Sequence, residues 1–98
     1  MFGGIFGRQQ GKSGAEARRW VAEGALLLDV RTPAEHAQGH IEGSLNIPVQ
    51  ELGARMAELP RGRSVVVYCR SGGRSAAATS MLQTAGHPVL DLGPMHAW

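Results

Sequence analysis

The stretch VVVYCRSGGRS, residues 65–75, decides the fold. Three valines and a tyrosine, preceded by Ser64, make the strongest strand signal in the chain, because branched and aromatic side chains suit a pleated, packed surface. Cys69 closes the strand, Ser71 and two glycines turn the chain, and the alanine-rich segment from Arg74 to Ala85 reads as a helix ending at Gly86. A strand that passes through a short loop into a helix is the repeating unit of a parallel sheet.

Working outward, the flanking segments repeat that unit. ALLLDV, residues 25–30, is an unbroken apolar run, the pattern of a strand buried on both faces. RTPAEHAQGH, residues 31–40, reads as a polar turn, and GSLNIP, residues 43–48, as a short strand ended by Pro48. VQELGARMAEL, residues 49–59, keeps Val49, Leu52, Met56 and Leu59 at helical spacing; PRGR then turns, and HPVLDL, residues 87–92, is a last strand. Upstream, Ser13 and Glu16 form a capping box for a helix that sets Ala17, Trp20 and Val21 on one face and stops at Gly24. Strands alternating with helices predict a three-layer α/β/α domain over residues 13–98 with a mainly parallel sheet of four or five strands. Residues 1–12 read as a flexible arm, with no counterpart of a first strand in GRQQGKSG.

Composition limits what such a domain does. The chain has 98 residues, enough for one core. Its net charge of +2 comes from arginines scattered along the chain, and with 5% aromatic residues there is little to stack on bases, so nucleic acid is not the expected partner. Glycine and Arg8 interrupt the N-terminal apolar residues before a signal sequence or membrane span forms. One cysteine makes no internal disulfide, which points to a reducing compartment, with the cytoplasm as the expectation. No large apolar face is evident, so a monomer is expected.

The placement of that cysteine is functional. Open parallel sheets bind ligands at the carboxyl ends of their strands, and the loop after Cys69 enters a helix N-terminus. A thiolate there meets the positive helix end, free N–H groups and the cations Arg70 and Arg74, surroundings that lower a cysteine pKa from about 8.5 into the range of roughly 3.5 to 7.5. Gly72 and Gly73 permit positive φ, so the N–H groups of residues 70–75, Arg70, Ser71, Gly72, Gly73, Arg74 and Ser75, can curl into a nest around an anion. Cations at a helix N-terminus oppose its dipole, and an anion between Arg70 and Arg74 removes the conflict. Asp29 ends a buried strand and reads as a satisfied structural carboxylate. His36 and His40 are four apart, but Gly39 interrupts a helix and no third ligand is near, so neither a metal nor another cofactor is expected. His87 and His96 read as surface or rim residues, and Met56, Met81 and Met95 as packing.

Three segments together, LLLDVRTPAEHAQGHIEGSLNIP, VVVYCRSGGRSAAA and LDLGPMHAW, resemble the rhodanese-type sulfurtransferase domain in its single-domain bacterial form. The resemblance implies that Cys69 takes a sulfane sulfur from a small anionic donor such as thiosulfate, becomes a persulfide, and passes the sulfur to cyanide, a thiol or a protein acceptor. It also implies that Asp29 and Arg31 form the family's structural DxR element, and that His40, Ile41 and Gly43 form its GHIxGA turn. His36 stands where a large aromatic is usual, and Pro94 where glycine is usual. The same fold also carries phosphatases and arsenate reductases, whose cysteine loop resembles this one except for an extra residue, and noncatalytic binding modules, which often lack the cysteine. CRSGGR is the shorter loop, and it keeps the thiol.

Overall fold

In the computed structural model, which describes residues 14–98, the valine-rich segment is the middle of the sheet. The strands are β1 (Leu26–Asp29), β2 (Leu45–Asn46), β3 (Val65–Cys69) and β4 (Val89–Pro94), all parallel in the order β2-β1-β3-β4. Every residue of β3 is buried, because strands flank it on both sides and helices cover both faces. Asp29 lies level with Tyr68, and Cys69 with Pro94. Between Val67 and Tyr68 the register of β4 shifts by one residue, leaving Leu92 as the extra residue of a bulge and holding Pro94 beside the cysteine.

Side chains alternate along a strand, so β3 divides the interior. Val65, Val67 and Cys69 join Leu28, Leu52 and Leu82 under α3 (Val49–Arg55) and α4 (Gly73–Thr84). Val66 and Tyr68 join Leu27, Leu90 and Leu92 under α1 (Gly14–Ala22), which contributes buried Ala17 with half-buried Trp20 and Val21. The expected α/β/α layering is therefore present, with four strands among the described residues. The arm, the question of a first strand within residues 7–13, and Ser13 of the capping box fall outside them.

Three local expectations change. Within the segment read as a polar turn lies α2 (Pro33–Gln38), closed by a capping box: the Glu35 N–H donates to Thr32 Oγ1 at 3.1 Å, and the Thr32 N–H donates to Glu35 Oε1 at 2.9 Å. α2 buries none of its residues, so it leaves no apolar period to detect. The helix expected over residues 49–59 is α-helical only to Arg55 and ends in a 3₁₀ turn, Met56–Glu58, which still delivers Leu59 to the core. Such tightening is a common way to satisfy the last carbonyls of a helix. His87 is buried rather than superficial; its Nδ1–H donates to the Arg63 carbonyl at 2.9 Å. Among the described residues no helix is long and apolar enough to cross a membrane.

Candidate active site

β3 ends at Cys69 and α4 begins at Gly73, so three residues reverse the chain. Gly72 is the turning point, at φ +111°, a left-handed conformation that strains any side chain. Gly73, expected to share that role, is already helical, and a Cβ there would meet nothing within 4 Å. The turn aims backbone N–H groups at the sulfur: Gly72 N lies 3.0 Å and Ser75 N 3.3 Å from Cys69 Sγ. Burial pushes the thiol pKa up, but the Ser75 hydroxyl and N–H, followed by the N–H groups of Gly72 and Ser71, outweigh it and hold the thiol below its ordinary value. Ser75 has one hydroxyl proton, for which Sγ competes with the Gly72 carbonyl at 3.1 Å.

The two arginines part company. Arg74 turns away from the cradle and grips Glu35 of α2 with both terminal nitrogens, Nη1 at 2.7 Å and Nη2 at 3.0 Å. The anion that relieves its conflict with the helix dipole is thus a carboxylate of this chain. Arg70 is exposed, and among the described residues its guanidinium has no partner. Sequence reasoning missed Glu35, although the Thr-Pro-Ala-Glu run from Thr32 is a capping-box signature.

Glu35 makes acid stability testable. Arg74 first, then the Thr32 N–H, pull its carboxyl down to about 2. A group depressed in the folded state stabilises fully above its unfolded pKa, about 4.3 for glutamate, and loses that contribution as pH falls through the folded value. Urea unfolding of wild type and Glu35→Gln should therefore differ by a constant amount above about pH 5 and converge between about pH 4.3 and 2. A difference undiminished at pH 2 would show that the ionised carboxylate is not its source.

Below the loop, Asp29 is the hub of a buried polar network. Its Oδ1 accepts from the Arg31 backbone N–H at 2.9 Å and from Arg31 Nε at 3.0 Å; Oδ2 accepts from Arg31 Nη2 at 2.7 Å, His36 Nδ1 at 2.9 Å and the Tyr68 hydroxyl at 3.2 Å. Burial pushes this carboxyl pKa up, but the hydrogen bonds from Arg31 and His36 hold it below the usual range. Arg31 Nη2 also donates to the Gly39 carbonyl at 2.7 Å, so Arg31 is spent on the frame of the crevice. Tyr68, which sequence reasoning had read only as strand, accepts from the Ile41 N–H at 3.1 Å and meets Ser44 Oγ at 3.0 Å, tying the turn after α2 to the sheet. His40 is a turn residue as expected, with Nδ1 2.7 Å from the His36 carbonyl and its ring stacked on His36 at 3.7 Å. His36 is thus a flat ring over the turn, bonded to Asp29. Beside the loop opens a cleft of about 330 Å³ lined by Arg31, Glu35, Gln38, Arg70, Met95 and His96, among others.

Known proteins resemble this chain in sequence and fold. A sulfurtransferase of Allochromatium vinosum is 49% identical over 78 residues, covering 78% of this chain and 73% of that protein. The chloroplastic thiosulfate sulfurtransferase 16 of Arabidopsis thaliana is 39% identical, with 76% of this chain and 74% of that protein covered. The human single-domain sulfurtransferase TSTD1 superposes with a TM-score of 0.72 at 28% identity over 89% of each chain. Other relatives are longer, and the chain spans between 14% and 24% of three of them. The pattern of the Rhodanese-like domain matches residues 13–98. With that match running through every described residue, and a relative close to half identical, the chain belongs to the rhodanese-like domain family.

Proposed function

We propose that this protein is a rhodanese-type sulfurtransferase in which Cys69 carries sulfane sulfur from thiosulfate, or a similar donor, to a thiophilic acceptor such as cyanide or a thiol. Its sulfurtransferase relatives support sulfur transfer as the general chemistry. The observation that carries the finer reading is the cradle, in which the Gly72 and Ser75 N–H groups converge on Cys69 Sγ. Donors aimed at a sulfur stabilise the thiolate and then the persulfide that replaces it. The thiolate attacks the outer sulfur of thiosulfate, a new S–S bond forms, and the old one breaks with its electron pair leaving on sulfite. The cradle that lowers the thiol pKa favours the thiolate, the attacking form, without a general base. Arg70, which lines the cleft and has no partner among the described residues, is the cation for the anionic end of the donor.

Cys69 exposes no surface, so the donor sulfur reaches Sγ only when the loop gives way. A thiolate that has to stay reduced suits the cytoplasm, and every residue invoked comes from one chain, so a monomer suffices. The phosphatase reading asks for an arginine facing the cradle, and Arg74 is held by Glu35 instead. Intact-mass measurement tests the choice. Thiosulfate should add one sulfur atom and cyanide remove it as thiocyanate, with negligible hydrolysis of an aryl phosphate. A protein that hydrolyses the phosphate faster than it transfers sulfur would sink this reading.

A further inference from the structure

Pro94 closes β4 level with Cys69 in the backbone register, so the turn that follows starts at the same end of the sheet as the cysteine loop. That turn is the 3₁₀ segment Met95–Ala97. Its backbone is anchored: the Trp98 N–H donates to the Met95 carbonyl at 3.1 Å, and Met95, Ala97 and Trp98 pack against the core around Tyr68 and Leu92. Within it His96 is exposed, and its ring has no partner among the described residues. It lines the same cleft as Arg70, the residue directly after Cys69. At about 330 Å³ that cleft has room well beyond the few atoms of thiosulfate.

Transfer to a thiol has a requirement that loading lacks. An ordinary thiol, with a pKa of about 8.5, is mostly protonated at neutral pH and has to lose its proton to attack. Of the other ionisable groups lining the cleft, Glu35 and Arg31 are committed. Arg74 and the Thr32 N–H hold Glu35, Asp29 and the Gly39 carbonyl hold Arg31, and the guanidinium of Arg70 offers donors but no accepting atom. From α1, Arg18 donates to the Trp98 carbonyl. Histidine changes charge near neutral pH and sits in this cleft uncommitted.

We propose that His96 is the general base for thiol acceptors, a role that rests on the Cys69 persulfide reading above. The imidazole takes the proton of the acceptor thiol, and the thiolate attacks the outer sulfur of the anionic persulfide. The bond from that sulfur to Sγ breaks, its electron pair returns to Sγ, and the imidazolium gives its proton to the departing persulfide product. Cys69 ends as the thiolate it began as, and no oxidant or reductant is consumed.

The test separates loading from discharge. Wild type and His96→Gln are loaded with thiosulfate and desalted, and the loss of sulfur is followed by intact mass with 2-mercaptoethanol or with sulfite, an acceptor already ionised just above neutral pH. The substitution should leave a loadable protein in which the ratio of mercaptoethanol to sulfite discharge falls about 10²-fold near pH 7.5. That deficit should close as the pH rises past the ionisation of the thiol itself. A ratio unchanged by the substitution overturns the proposal, and so does a deficit that persists at high pH, which would mark a packing effect. A wild type that does not load overturns the sulfurtransferase reading, and the role of His96 with it.

Discussion

Cys69→Ser takes up no sulfur from thiosulfate and lowers thiocyanate production by at least about 10³-fold, to the uncatalysed background, while the protein stays folded. Serine is close to cysteine in shape, and its oxygen accepts the same N–H groups that Gly72 and Ser75 direct at Sγ. The variant therefore fits a site with no exposed surface, at a cost of about 1 kcal/mol, which moves Tm by about 4–8 °C in a domain of this size. An alcohol is not ionised by this cradle, because its pKa lies far above that of a thiol. Nor does oxygen hold a sulfane sulfur as a second sulfur does. Intact mass, thiocyanate assay and thermal unfolding on one preparation separate chemistry from folding. Retained turnover in a folded serine variant would show that the nucleophile is not Cys69.

Asp29→Ala should be the costliest single change to stability, at about 3–5 kcal/mol, because it removes one partner of a buried ion pair and leaves the other charged. Arg31 is only 5% exposed and would face an apolar gap, and Tyr68 and His36 would lose their acceptor. Domains of this kind have about 5–15 kcal/mol in total, so the loss is a large share. Asp29→Asn keeps an acceptor oxygen and loses the charge, and should fall between alanine and wild type. Urea midpoints at neutral pH give the order. An alanine variant within about 1 kcal/mol of wild type would show that the crevice is held by its apolar packing alone.

The parts of the site legible in the sequence were those made by neighbours along the chain. A strand, a glycine turn and a helix start are local patterns, so VVVYCRSGGRS by itself puts a thiol at the end of a buried strand and backbone N–H groups beside it. α2 was missed although its cap is written in Thr32 and Glu35, because a helix that buries no residue has no apolar period. β2, expected within residues 43–48, is only Leu45–Asn46, at one edge of the sheet.

What the tertiary structure alone decided is which charge meets which. Arg74 and Glu35 are 39 residues apart, as are Tyr68 and Asp29, and each pair is made by the parallel register of β1 and β3 and the return of α2 over the loop. Both arginines after Cys69 look alike in sequence. Only the fold shows that Arg74 is neutralised by a carboxylate while Arg70 lines the cleft with no partner among the described residues. The reason is physical: hydrophobic periodicity and turn chemistry act over a few residues and can be read in order, whereas an ion pair depends on distance in space, which exists only once the sheet has set its register.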